Sequence, residues 1–347
     1  MQLPKPHKIL IVRTDRLGDV ILSTPVIKNL RVAFPQAHIA FMCRPYTKAA
    51  LEGNPYLDEV IVYDKYGKHK STWASIKFSQ DLRKKKFDWA LILHPTNRAH
   101  LVTYFAKIPF RIGWDKKMGF LLTERLKHTK QQGRKHETEY TLDILKTLNI
   151  DTEDKTTYFP ISEKADKKIE ELLIKEGLER EEKFIVIHPS ASCRSKRWPP
   201  DYFSKLVKAL KEKTNLKIAV ISAAEEKGVA QEIVEKNEVI DLRAKLAIAE
   251  VGSLLKRAEL FISNDSGPVH IAAALNTPVI SIFGRKDPGL SPLRWAPLGE
   301  ASFYFHKDVG CIACASHNCL KGFLCLKAIS PEEVLEAATR LIESRRI

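Results

Sequence analysis

The sequence predicts an α/β fold in two domains, and three observations carry that prediction. Short strands that read apolar along their whole length alternate with helical stretches, the pattern of parallel sheets covered by helices on both faces. The 347 residues exceed what one ordinary core organises and suit two domains of common size. Between about residues 150 and 182 the composition turns charged, Ile169, Leu172 and Leu173 make only a narrow helical stripe, and the alternation then restarts. We place the domains at 1–160 and 161–330, with a terminal helix over 331–347.

In chain order, residues 8–13 (KILIVR) form the first strand, and Thr24-Pro25 opens a helix that runs to about Val32. Strands follow at 38–43, 58–63 and 89–93, each preceded by turn residues or a helical stretch. His136-Glu137 imitates the start of an H-E-x-x-H metal motif but lacks the second histidine, so it reads as a helix start. In the second domain strands are predicted at 184–187, 217–222, 239–242, 260–263 and 279–283. The last helix carries Val334, Leu335, Ala338 and Leu341 on one face.

Composition narrows the function classes. Hydrophobic content of 44% with 29% charged residues describes a soluble globular protein, and the N-terminal apolar run at 9–12 is far short of the roughly 20 residues a bilayer requires. The expected location is the cytoplasm. A net charge of +15 calls for an acidic partner: nucleic acid, anionic lipid or a phosphorylated substrate. The cations are dispersed, with small clusters at 83–86 and 194–197 and no aromatic-basic platform, which argues for a surface field and against a nucleic acid partner. The dinucleotide fingerprint, the P-loop and a D-x-D metal pair are all missing.

Three segments carry candidate chemistry. Ser-Asn-Asp-Ser-Gly-Pro-Val-His-Ile at 263–271 ends a strand and opens a helix, so free backbone N–H groups and the positive end of the helix dipole converge where phosphate binds well. A plain strand-to-helix turn capped by Asp265 is the other reading. Arg13-Thr14-Asp15-Arg16-Leu17-Gly18-Asp19 follows the first strand and offers Asp19 as a general base; the alternative has Asp19 capping a helix and Asp15 pairing with Arg13 or Arg16. The segment 188–200 (HPSASCRSKRWPP) sets hydroxyls and cations at a sheet edge, suited to a diphosphate leaving group or else to a solvated basic loop, with Trp198 packing beneath it.

Four of the six cysteines, Cys311, Cys314, Cys319 and Cys325, fall in a C-x2-C-x4-C-x5-C group. It could close around a structural metal, although the spacing matches no common zinc pattern; buried or redox-labile thiols are the alternative. Cys43 ends a strand and Cys193 lies in a polar loop.

Taken together, the R-T-D-R-L-G-D-V-I-L-S-T-P opening, the S-x-x-x-K-R-W-P segment, the S-N-D-S-G-P-V-H-I-A-A-A-L-N-T-P-V-I-S-I-F-G run and the cysteine group followed by I-S-P-E-E-V resemble glycosyltransferase family 9, the lipopolysaccharide heptosyltransferases. The resemblance spans nearly the whole chain. It implies a GT-B architecture, with two Rossmann-like domains facing a central cleft. It also implies inverting, metal-independent transfer of heptose from ADP-heptose to an anionic inner-core glycolipid of lipopolysaccharide, at the cytoplasmic face of the inner membrane, with no cofactor required. Carried over residue by residue, Asp19 matches the base, Lys196 a lysine on donor phosphate, and Ser192 a position near the phosphates. Asp265, Ser266, Gly267 and His270 match the donor-binding turn, with Ser266 standing where many members have Thr. Glu226 matches a glutamate near the nucleoside, although Ser222-Ala223 replaces the usual Gly-Gly. Charge alone adds Arg13, Arg16 and Arg44 as acceptor-binding candidates. The competing readings are a nucleotide-sugar epimerase on the same scaffold and a basic nucleic-acid-binding protein.

Overall fold

The computed structural model of the chain describes residues 4–344 and divides into two compact units, Met1–Pro160 and Ile161–Ile347. Each unit holds a six-stranded sheet whose paired strands all run parallel. The first contains β1 (Lys8–Val12), β2 (His38–Cys43), β3 (Glu59–Val62), β4 (Trp89–Ile92), β5 (Phe110–Asp115) and β6 (Glu124–Lys127), in the order β3-β2-β1-β4-β5-β6. The second contains β7 (Phe184–His188), β8 (Lys217–Val220), β9 (Ile240–Asp241), β10 (Leu260–Asn264), β11 (Val279–Phe283) and β12 (Ser302–His306), in the order β12-β11-β10-β7-β8-β9.

The apolar strands occupy the middle of each sheet for a physical reason. Ile9 to Val12 of β1 pair with β2 on one side and β4 on the other, and helices cover both faces, so every one of their side chains is buried. The same holds for β7, β10 and β11. In a parallel sheet all carboxyl ends lie on one edge, which gathers the loops after β1, β2 and β4 in the first unit and after β7, β10 and β11 in the second.

Three strands lie outside the predicted set. β6 (ERLK) alternates partly buried and exposed residues at a sheet edge, and β12 is an edge strand with exposed Phe303 and Tyr304, so neither shows a buried apolar run. β5 is broken in sequence by Arg111 and Gly113; a Cβ at Gly113 would lie 2.8 Å from the Ile92 carbonyl oxygen, which explains a glycine inside a strand.

The helical stripe of the charged interval is a helix that follows the boundary. Glu163–Lys175 belongs to the second unit and buries Ala165, Ile169 and Leu173, while Arg257 reaches Asp166 at 2.9 Å and Lys168 reaches Glu250 at 2.5 Å on the Ile248–Arg257 helix. The terminal helix Pro331–Glu343 opens with a capping box between Ser330 and Glu333 and buries Val334, Ala338 and Ile342. The end of its predicted span, 345–347, lies outside the described residues. Trp198 is wholly buried in the second core, its indole N–H donating to the Ile329 carbonyl at 2.9 Å.

Candidate active site

The carboxyl edge of the first sheet is organised around Arg13, which follows β1 directly and is 1% exposed. Its guanidinium donates from Nε to Asp15 Oδ1 at 2.9 Å, from Nη2 to Asp19 Oδ1 at 2.6 Å, and from both terminal nitrogens to Glu137 Oε1 at 3.0 Å. Lys130, also buried, donates to the same Glu137 oxygen at 2.8 Å and to the Leu93 carbonyl at 3.3 Å. Glu137 is the first residue of the Glu137–Lys146 helix, where the dipole favours a carboxylate; His136 and Glu139 complete a capping box there. The predicted helix start at His136 is therefore correct, and its glutamate is part of the site.

Asp19 sits inside the short helix Leu17–Ile21 rather than in a loop or at a cap. Leu17, Gly18, Val20 and Ile21 are buried, so the helix is anchored and leaves Asp19 partly exposed, its side chain 16% accessible. Two cations, Arg13 and Lys130, face three carboxylates, Asp15, Asp19 and Glu137. Burial, aided by the charge of Asp15 and opposed by Arg13, raises the Asp19 carboxyl to about 6. Burial alone would lower Arg13, but its three carboxylate neighbours outweigh it and keep the guanidinium charged. His94, 3.5 Å from Asp15 Oδ2, is pushed down by burial and by Arg13.

The acceptor candidates part company here. Arg13, itself buried, is committed to three carboxylates and cannot present its guanidinium to a substrate, so its place is beneath Asp19 and not on an acceptor surface. Arg16 is exposed. Arg44, just past β2, lies 4.6 Å from the Tyr46 ring centroid and 4.5 Å from that of Tyr66, two exposed tyrosines that fix its plane. Lys65, which sequence reasoning missed, donates to the Thr14 carbonyl at 2.6 Å beside them.

In the second unit the ends of β7 and β10 are tied by side chains. His188 Nδ1 lies 3.0 Å from Ser263 Oγ and 3.3 Å from Ser266 Oγ, and the two hydroxyls are 2.9 Å apart. Burial lowers His188 to about 4, so its imidazole is neutral. Asn264 donates to the Pro189 carbonyl at 2.6 Å and accepts from the Trp198 amide at 2.9 Å, which locks the 188–200 loop onto the β10 turn.

Asp265 does not cap the helix that follows. Its carboxylate accepts from Lys196 Nζ at 2.9 Å and from Arg285 Nη2 at 3.1 Å, so one buried acid aligns two cations. Lys196 also reaches the Asp265 carbonyl at 3.3 Å. The helix Gly267–Ala274 starts after Ser266, whose side chain makes no cap bond, with Pro268 as its second residue; Gly267 is partly exposed and His270 is buried. Arg285 was not predicted, and the one available signal was its position directly after Gly284 at the end of a buried strand. A Cβ on Gly284 would come 2.6 Å from Leu326 Cγ and 2.9 Å from the Ser195 carbonyl oxygen, so the glycine allows the Lys196 loop to close on β11. Ser192 is exposed on that loop. Glu226 lies in the 224–230 turn, 3.8 Å from Arg197, with its carboxyl pushed up by burial.

Cys311, Cys314, Cys319 and Cys325 line one cavity of about 330 Å³ with Lys286 and Lys307, and none forms a disulfide. Among the described residues no group of three or more His, Cys, Asp or Glu side chains is arranged to hold a metal ion. The Cys325 thiol instead donates to the Gly284 carbonyl at 2.6 Å.

Chemically, the first unit offers a carboxylate that changes protonation near neutral pH, and the second offers oriented cations beside a helix N-terminus, whose dipole favours an anion. The family model described as glycosyltransferase family 9 (heptosyltransferase) matches residues 75–324. The chain is 28% identical over 337 residues to lipopolysaccharide heptosyltransferase 3 of Escherichia coli strain K12, covering 94% of this chain and 95% of that one. It is 25% identical over 349 residues to lipooligosaccharide heptosyltransferase 2 of Campylobacter jejuni, covering 98% and 100%. Among solved structures it resembles a family 9 glycosyl transferase from Veillonella parvula, with TM-score 0.84, 24% identity and 97% of each chain covered. It also resembles the E. coli ADP-heptose heptosyltransferase II, with TM-score 0.80, 23% identity and coverage of 98% and 100%.

Proposed function

Since the chain belongs to glycosyltransferase family 9, we propose that it transfers heptose from ADP-heptose to the inner core of lipopolysaccharide, to Kdo-bearing lipid A or an already heptosylated core, with inversion and without a catalytic metal. Asp19 takes the proton of the acceptor hydroxyl as its oxygen bonds to the anomeric carbon. The bond from that carbon to the donor phosphate breaks, and the electron pair leaves with ADP. Lys196, Arg285 and the N–H groups opening the Gly267–Ala274 helix receive the diphosphate, while Asp265 orients the two cations and is not itself a phosphate ligand. Ser192 and Ser266 supply hydroxyls to the donor, and Glu226 stands for the nucleoside contact.

The observation that carries this reading is Asp19, a carboxylate raised to about 6 and held at 2.6 Å by a buried guanidinium. Such a group is ionised at neutral pH yet basic enough to accept a proton in the transition state. Arg16 and Arg44 are the acceptor-side cations of the proposal, suited to the carboxylates or phosphates of an anionic core. Working at the cytoplasmic face of the inner membrane, the protein would use its surface charge of +15 to meet the lipid that carries the acceptor. No helix among the described residues is long and apolar enough to cross a membrane.

The test is incubation of the purified protein with ADP-heptose and a panel of truncated core glycolipids, followed by weighing the products. Gain of one heptose by a glycolipid, with ADP released in equal amount, is the expected result. Conversion of the sugar nucleotide without any acceptor, or no product with every acceptor, overturns the proposal.

A further inference from the structure

Glu137 and Lys130 lie over 100 residues from Asp19 in sequence, yet they occupy the same buried charge cluster. Glu137 competes with Asp19 for one guanidinium: Arg13 Nη2 lies 2.6 Å from Asp19 Oδ1 and 3.0 Å from Glu137 Oε1. Lys130 lies 2.8 Å from the same glutamate oxygen and offsets its charge. Arg13 and Lys130 thus share one glutamate oxygen, and because all three groups are nearly or wholly out of solvent little water screens them, so a change at either Glu137 or Lys130 is felt at Arg13. The other groups around Asp19 are Asp15 and Arg13 on the loop after β1, Tyr46 after β2, whose hydroxyl donates to the Asp15 carbonyl at 3.3 Å, and His94 after β4. Asp15, Arg13 and His94 stand on loops at the strand ends and Tyr46 on the short helical turn Pro45–Ala50 after β2, whereas Lys130 and Glu137 reach the site from the segment after β6 and from the Glu137–Lys146 helix.

We propose that Glu137 and Lys130 are positioning residues that act through Arg13 in opposite senses to set how tightly Asp19 holds its proton. Glu137 draws the guanidinium away and makes Asp19 a stronger base; Lys130 moderates Glu137 and weakens that effect. The pair touches no reacting atom. Its role rests on the reading of Asp19 as the base, but the electrostatic coupling itself does not.

The experiment compares the full-length protein with Glu137→Gln, Lys130→Met and the double variant. In Glu137→Gln, which preserves shape, the Asp19 carboxyl should titrate about one pH unit lower, because Arg13 is then left to Asp15 and Asp19. In Lys130→Met it should titrate higher by a similar amount, and the double variant, with one charge of each sign removed, should return close to the parent. Carbon-13 NMR titration of labelled aspartate, with Asp19→Asn to assign the signal, reads the coupling directly. The acid limb of kcat/KM against pH reads its catalytic consequence. Opposite displacements of the two single variants in the NMR titration support the proposal. Shifts in the same direction, or none in correctly folded variants, overturn it, because a purely structural role would lower activity without moving a titration in opposite senses. If the NMR titration shifts oppositely while the acid limb stays fixed, the coupling stands and the assignment of Asp19 as base falls.

Discussion

Asp19 is where activity and stability pull against each other. Its carboxyl titrates near 6 in the folded chain against an ordinary value of 3.8, so ionisation is disfavoured by folding. Below about pH 4 the group is protonated in both states and the penalty vanishes; it grows as pH rises towards 6 and is complete above that. Asp19→Asn should therefore be more stable than the parent at pH 7.5, by on the order of 1–3 kcal/mol, and the gap should close as the pH falls to 4, as read by denaturant unfolding at each pH. The same variant should lose transfer by roughly 10²–10⁴-fold while keeping affinity for ADP. In the parent, kcat/KM should fall below about pH 6 as Asp19 takes up its proton. On the donor side, Lys196→Ala and Arg285→Ala should each weaken ADP binding roughly ten- to hundredfold by calorimetry, the loss of one charge-assisted hydrogen bond. Of these residues Asp19 and Lys196 were legible in the sequence through their motifs. Arg285 was not, since one arginine after a strand carries no pattern until Asp265 is seen beside it.

At the scale of elements, the readable ones were those whose environment is uniform along their length. Predicted bounds for 38–43 and 279–283 coincide with β2 and β11, because a strand buried on both faces is apolar along nearly its whole length, with His38 at one end and the small Ser281 the exceptions. β6 and β12 escaped because edge strands face solvent and mix polar with apolar residues. The helix Leu17–Ile21 escaped for its brevity, and with it the placement of Asp19 on a helical face. The packing of β11 against the Lys196 loop is testable: Gly284→Ala forces a methyl against Leu326 and the Ser195 carbonyl, and should cost about 1–3 kcal/mol of stability together with weakened ADP binding. Retained stability and ADP affinity would show that the loop tolerates displacement.

Across the whole molecule the excess of 15 positive charges is the dominant long-range property. It should draw the protein to vesicles containing phosphatidylglycerol at low ionic strength, and not to neutral phosphatidylcholine vesicles, with binding falling as salt shortens the Debye length. Equal sedimentation with both vesicle types would remove charge as the basis of membrane contact. The sequence by itself determined the α/β class, the central strands, the family and the residues that carry its motifs, because each of these is written in local pattern: period, burial and contiguous signature. What only the tertiary structure decided is the company those residues keep. That Arg13 lies under Asp19 rather than on an acceptor, that Glu137 and Lys130 join it from beyond residue 129, and that Asp265 aligns Lys196 with Arg285 all need contacts between distant segments: Glu137 is 124 residues from Arg13, Asp265 is 69 from Lys196, and Arg285 is 20 from Asp265. Electrostatic coupling follows distance in space and the water excluded between charges, and neither is encoded in the spacing of residues along the chain.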